Sequence, residues 1–476
     1  MAARTIELRR RSTPASGEAQ ASAAVKPATR RGVPDRAPSG KSPNGRPGTH
    51  SGGTGLAPAV RAREVLRSST PPAVTLPTLT PAPLLSTRLE LLSGEGALDV
   101  FRRAQALERT GRHVIHLELG APDVPAPAHV GEAAIQALRD GDARYVAVNG
   151  IPELRAAIVD DLRTRGVHAH PDQVLVTPSA KTAVFYAILA TAEPGSEVLV
   201  PDPGFPIYPS AVRFAGATPV GYGVDSRNAP DVDDIEARIT PRTRAILLNS
   251  PNNPTGGALG APAMARLAAL VERHGLAAVT DDIYTRLVYD APFAPTLAAF
   301  EGAREQTLIV DGFSKTYAMT GYRLGYIVAP RPWVEPLLVL ATNGHTCVAP
   351  FIQRAGVAAL TGPQDSVRAQ VEIYRARRDL LVRGLNAIDG VHCPTPDGAF
   401  YVFPDFSELL RRHGLTSAQF ADRLLQYFGV AAIDGTSFGA NGEGRLRLSF
   451  ASSTGELDAA LSRIADCAAS LTLSRP

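Results

Sequence analysis

The sharpest chemistry in the sequence lies in Gly312-Phe313-Ser314-Lys315-Thr316-Tyr317-Ala318-Met319-Thr320-Gly321-Tyr322-Arg323-Leu324-Gly325, where an amine and a guanidinium stand eight residues apart. An amine can lose its proton and condense with a carbonyl, whereas a guanidinium stays charged and presents a fork of donors. The pair therefore suits a small molecule with an aldehyde at one end and a phosphate at the other, Lys315 forming the imine and Arg323 gripping the phosphate. The glycines alone equally permit a tight turn whose lysine faces solvent. Lysine usage sharpens the choice: of 49 basic residues only Lys26, Lys41, Lys181 and Lys315 are lysines, and only the last two lie outside the N-terminal stretch.

Other polar groups cluster where apolar runs end. Asn249-Ser250-Pro251-Asn252-Asn253-Pro254-Thr255-Gly256 closes one such run, and on bare chemistry it is a turn. Thr280-Asp281-Asp282-Ile283-Tyr284 closes another, which sets acids at the carboxyl edge of a strand, where α/β proteins bind ligands. Thr177-Pro178-Ser179-Ala180-Lys181-Thr182 joins a strand to a helix. The free amides of Ala180 and Lys181 would form a phosphate cup there, with the Lys181 side chain adding charge, although every strand–helix junction offers such amides. Phe205, in Asp202-Pro203-Gly204-Phe205-Pro206-Ile207-Tyr208, follows a strand, a position that usually belongs to the core. Arg445 and Arg447 are two residues apart and share a strand face.

These groups need a framework that gathers distant segments. From Leu89 onward, short β-branched runs alternate with helical stretches, the α/β pattern. Strands are predicted at 114–119, 173–177, 197–201, 218–223, 244–249, 277–281, 307–311 and 324–328, and helices at 152–165, 180–192 and 262–274. The runs between 173 and 328 are short and apolar, as in a parallel sheet covered on both faces. After Pro350 a long helix over 367–388, a strand at 399–404, a helix at 417–428 and a strand at 445–450 describe a smaller α+β lobe. Residues 1–88 are rich in Pro, Ser, Ala, Gly and Arg without apolar periodicity, and are predicted to be a disordered basic extension. The expected domains are then 89–125, an N-terminal segment contributing to the small domain; 126–345, the large domain; and 346–476, the C-terminal small domain.

The net charge of +3 hides an asymmetry. Residues 1–88 hold 14 basic against 4 acidic residues, and the remainder 35 against 42, so the body is acidic and offers nothing to nucleic acid. No apolar run approaches the roughly 18 to 20 residues of a membrane span. Arg9-Arg10-Arg11 is followed by Ser-Thr-Pro rather than by an apolar segment, which argues against a secretory signal. Cys347, Cys393 and Cys467 form no C-x-x-C pair for a metal. A reduced, cytoplasmic setting is expected, while the Arg-rich, acid-poor start also resembles an organellar transit peptide.

The segment around Lys315 resembles the pyridoxal-phosphate attachment site of class I/II aminotransferases, the aspartate aminotransferase-like enzymes of fold type I, and the resemblance runs from about residue 89 to the C-terminus. It implies a large domain with a mostly parallel seven-stranded sheet between helices, a smaller α+β domain, and pyridoxal 5′-phosphate held as a Schiff base on Lys315. It also implies that Arg323, Ala180 and Lys181 take the phosphate, Asp281 the pyridine nitrogen, and Asn253 and Tyr284 the phenolic oxygen. Phe205 would stack on the ring and Ile283 pack against one face. Asp282 competes for the nitrogen, but Asp281 has the family spacing of three to the tyrosine. Arg447, in an R-L-S pattern, resembles the α-carboxylate arginine, with Gly120, of Leu119-Gly120-Ala121-Pro122-Asp123, and Asn253 nearby. Tyr145 resembles the tyrosine that reaches the phosphate of a neighbouring subunit, which implies a homodimer. The implied activity is a ping-pong transfer of an amino group from an L-amino acid to a 2-oxo acid, with Lys315 as anchor and general base. A carbon–sulfur β-lyase or a cyclopropane-carboxylate synthase of the same fold would keep almost all these residues. An aminotransferase-like transcription regulator would need a folded module ahead of residue 89. Near the side-chain pocket Asn343, His345 and Thr346 offer no arginine for a second carboxylate, and both dicarboxylic and aromatic donors remain open.

Overall fold

The structure, a computed structural model, describes residues 85–473. The expected extension, residues 1–88, falls outside these apart from its last four residues, and those are ordered. Ser86 caps a 3-10 turn at Thr87–Leu91, and Arg88 donates to the carbonyl of Phe214 at 2.9 Å.

After β1 (Ile115–His116), seven strands build the central sheet: β2 (Val174–Thr177), β3 (Glu197–Pro201), β4 (Thr218–Tyr222), β5 (Thr243–Asn249), β6 (Ala277–Asp281), β7 (Thr307–Gly312) and β8 (Gly325–Val328). Their order is β2-β8-β7-β6-β5-β3-β4. The strands pair in parallel except β8, which runs antiparallel to both β2 and β7. Between β7 and β8 the chain forms only a 3-10 turn at Thr320–Tyr322, with no helix to carry a crossover, so β8 returns beside β7 in the opposite sense.

Side chains alternate across this sheet with the strand period of two. On β5, Ala245 and Leu247 face one helical layer, while Ile246 and Leu248 face the other. The first layer comprises the helices Ala180–Thr191, Ile207–Phe214 and Arg331–Gly344. The second divides between Ala261–His274 and the pair Pro152–Thr164 and Pro350–Thr361. Ala355 and Ala359 of that last helix pack with Leu154 and Ile158, so the core of the large sheet extends past the boundary expected at 345. Edge strand β4 departs from the expectation of two covered faces, since only Tyr222 on it is fully buried.

The smaller sheet holds β9 (Tyr401–Val402), β11 (Ile433–Asp434) and β12 (Leu446–Ser449) in the order β11-β12-β9, while β10 (Val430–Ala431) pairs in parallel with β1. Tyr374, Phe400, Phe406, Phe420, Phe450 and Ile464 fill its core, which Ile115 and Leu117 of the N-terminal segment also join.

Register in the large sheet brings polar strand ends to one edge. Asn249 is level with Asp281, Asp281 with Val310, Gly312 with Gly325, and Gly325 with Thr177.

Candidate active site

At that edge lies a cavity of about 330 Å³ whose walls include Gly120, Ala180, Lys181, Phe205, Asn253, Asp281, Ile283, Tyr284, Lys315, Arg323 and Arg447. The remaining expected residue, Tyr145, is 87% exposed and takes no part in the lining. Asn343, His345 and Thr346 do not line it either. His345 stacks on Tyr186 with ring centroids 5.8 Å apart, and Asn343 donates to Val339 of its own helix, so the expected side-chain pocket is not where these residues are.

Lys315 sits in the turn that follows β7. Its Nζ donates to the Gly120 carbonyl at 2.5 Å and lies 5.8 Å from the Phe400 ring centroid. Burial, then the charges of Arg447, Lys181 and Arg323, push its amine down to about 8, with Asp281 acting in the opposite sense. An amine so placed is partly unprotonated near neutrality and is competent as a nucleophile.

Opposite the lysine turn, Ser179 caps the helix Ala180–Thr191, accepting from the Thr182 amide at 3.3 Å. Gly325 passes directly over this helix start. A Cβ on it would lie 2.3 Å from the Ala180 nitrogen and 2.4 Å from the Ser179 carbonyl carbon. Only glycine lets β8 pack this closely on the helix start, so a side chain here would push aside Ala180 and Lys181, which border the cavity together with the exposed Arg323. Gly325→Ala is therefore expected to raise the dissociation constant for pyridoxal phosphate by about a hundredfold, the loss of two or so charge-assisted hydrogen bonds. Fluorescence titration of the cofactor-free protein measures it, and unchanged affinity would contradict the cradle. The Lys181 side chain stays at the cavity wall but is engaged there, pairing with Glu95 and standing 5.5 Å from the Phe205 ring centroid.

Asp281 ends β6 with its carboxylate buried. Tyr208 donates to Oδ2 at 2.8 Å, and Asn249 Nδ2 holds the Asp281 carbonyl at 2.8 Å. Burial pushes its carboxyl up to about 7, and among the described residues no cation pairs with it. Asp282 points away from the cavity, accepting from Thr296 at 2.6 Å, which separates the two competing acids. Asn253 is fixed by its own amide, which donates to Asn249 Oδ1 at 2.8 Å.

Arg447 stands on β12 and is 3% exposed. Its Nη1 donates to Asn253 Oδ1 at 3.3 Å, and its Nη2 to the Glu118 carbonyl. The guanidinium lies 4.5 Å from the Tyr401 ring centroid and 5.0 Å from that of Phe438, while Nε has no partner. Arg445 is turned aside to Asn228 and Asp405, outside the cavity.

Several contributors escape a reading of the sequence. Tyr401 bonds the Tyr284 hydroxyl at 3.0 Å, and its own hydroxyl crowds Gly120, where a Cβ would lie 2.3 Å away. Glu95 and Tyr401 carry no local signal. Tyr208 and Asn249 do, since each stands within a segment already singled out for another residue.

The donor set fits pyridoxal phosphate. It combines an amine of lowered basicity, a buried carboxylate lacking a cation, a helix start that borders the cavity beside an arginine, and a buried guanidinium with an unpartnered Nε. Fold and site together define a pyridoxal-phosphate enzyme of fold type I. Residues 112–464 match the family model for aminotransferases of class I and II. The chain is 38% identical over 391 residues to an aspartate aminotransferase of Rhizobium meliloti (strain 1021), covering 80% of this chain and 95% of that one. It is 38% identical over 389 residues to an aspartate/prephenate aminotransferase of Thermus thermophilus, covering 80% and 98%. The crystal structure of the Rhizobium meliloti aspartate aminotransferase superposes with a TM-score of 0.77 at 37% identity, over 81% of this chain and 98% of that one. The Thermus thermophilus aspartate aminotransferase with maleate gives 0.74 at 37%, over 80% and 99%. The chain belongs to the class I and II aminotransferases and is a pyridoxal-phosphate-dependent aminotransferase.

Proposed function

We propose that the protein exchanges an amino group between an L-amino acid and a 2-oxo acid with Lys315 as both cofactor anchor and proton carrier. The observation that carries this is the Lys315 amine, brought to about 8 beside Arg447. In this reading Arg323 and the amides of Ala180 and Lys181 hold the phosphate, Asp281 pairs with the ring nitrogen, and Asn253 and Tyr284 bond the phenolic oxygen. Phe205 and Ile283 pack on the ring. Pyridoxal phosphate, when bound, supplies an electron sink for the substrate α-carbon.

Arg447 and Gly120 receive the substrate α-carboxylate, which orients the Cα–H bond toward the Lys315 amine. Lys315 takes that proton and later returns one, acting as base and then acid. Tyr145, an exposed aromatic, would be covered by a second copy, so the working unit is proposed to be a homodimer. The test is product analysis. Amino acid and 2-oxo acid incubated with the protein should exchange amino groups in equal amounts, whereas net ammonia and pyruvate would replace this reading with a β-lyase.

A further inference from the structure

One ion pair in the cavity remains over when the proposed roles are assigned. The cations that line it are Lys181, Lys315, Arg323 and Arg447, and the acids are Glu95 and Asp281. Lys315 carries the cofactor, Arg323 its phosphate, Asp281 its ring nitrogen, and Arg447 the α-carboxylate. Lys181 is the remaining cation, and Glu95 already neutralises it.

Glu95 is well placed to stay there. It is the residue before the helix Gly96–Glu108, where the helix dipole favours an acid, and its side chain is 27% exposed. It lines the same cavity as Arg447 and Tyr401, and so borders the space that a substrate side chain leaving Arg447 enters. The cavity walls contributed by the same and facing segments are mostly apolar, Ala97, Leu98, Ile433 and Phe438, with one hydroxyl from Ser437.

We propose that the Lys181–Glu95 pair makes this a site for amino acids and 2-oxo acids with a single carboxylate and an apolar side chain, and excludes dicarboxylates. A second carboxylate would meet no uncommitted cation of this chain among the described lining residues. To reach Lys181 it would have to displace Glu95, against like-charge repulsion. An apolar side chain passes the neutralised pair and packs on the apolar walls. The inference rests on the assignment of Arg447 to the α-carboxylate, and it sets this chain apart from the substrate for which the aspartate aminotransferases are named.

Specificity by exclusion predicts a gain when the excluding group is removed. Calorimetric titration of the holoenzyme with maleate and with 3-phenylpropionate measures binding without turnover. The wild type is expected to bind 3-phenylpropionate at least about tenfold more tightly than maleate. Glu95→Gln, which keeps the shape and frees Lys181, is expected to tighten maleate by about tenfold or more and to change 3-phenylpropionate little. Adding Lys181→Ala to Glu95→Gln is expected to remove that gain, which a purely structural role for Glu95 would not do. A wild type that prefers maleate, or a Glu95→Gln variant with unchanged maleate affinity, overturns the proposal. Failure to exchange amino groups with any donor would instead count against the proposed function, and the titration would still give its answer.

Discussion

Lys315→Ala is expected to abolish the visible absorbance of lysine-bound cofactor and to lower amino-group transfer by more than about 10⁴-fold, because one substitution removes both the covalent anchor and the general base. Among the described residues no other free amine lines the cavity. Lys181 lines the same cavity, but its ammonium is paired with Glu95. Lys181→Ala should therefore keep the absorbance, and the two variants together test which lysine does the chemistry. Retained absorbance in Lys315→Ala would overturn the assignment. The pH dependence of cofactor capture adds a second readout. Only the unprotonated amine condenses with an aldehyde, and burial with three nearby cations lowers this amine from the ordinary 10.5 to about 8. Capture by cofactor-free protein should thus accelerate as pH rises, level off above about 8, and fall about tenfold per unit below it. A midpoint near 10.5, followed by stopped-flow absorbance, would show that the amine is not perturbed.

The site was largely legible in the sequence because its groups sit where strands stop. Asp281 is the last residue of β6, Asn253 follows the end of β5 by four, and Lys315 follows the end of β7 by three. Apolar runs bounded by Pro, Gly and Asn locate strand ends well, and β3 and β6 begin and end where predicted. Direction is another matter. Nothing in the run 324–328 distinguishes a parallel from an antiparallel neighbour, and the orientation of β8 depends on the short path from β7.

Proximity between distant segments is equally silent. Glu95 and Tyr401 come to the cavity from the N-terminal segment and the small lobe, and neither stands in a pattern that marks it. The choices between Asp281 and Asp282 and between Arg445 and Arg447 rested on family spacing. Backbone geometry supplies the basis of the first, since adjacent residues at a strand end point to opposite faces; the second is decided by side-chain partners, because Arg445 continues the β12 ladder but bonds Asn228 and pairs with Asp405, away from the cavity.

The second large effect is expected at Asp281. Asp281→Asn should retain lysine-bound cofactor, because Lys315, Arg323 and the helix amides are untouched, yet lower kcat by about a hundred- to several-thousand-fold, the loss of a buried charge pair of about 3–5 kcal/mol. The amide is the same size and can still accept from the Tyr208 hydroxyl, so packing changes little and the charge is what is removed. That charge has a distinctive setting. With no cation beside it, burial pushes the carboxyl up to about 7, despite the Tyr208 and Ile283 hydrogen bonds that lower it. Beside a cationic ring nitrogen Asp281 would ionise again, and that pairing would favour the protonated ring. Asp282→Asn is the matched control. Its carboxyl is likewise buried and raised, to about 6, but it answers Thr296 and the charge of Arg165 on the far side of the strand. That variant should keep kcat within about threefold of wild type. Equal kcat losses in both variants would mean that acidity at this strand end matters for folding, and would remove Asp281 from the ring nitrogen.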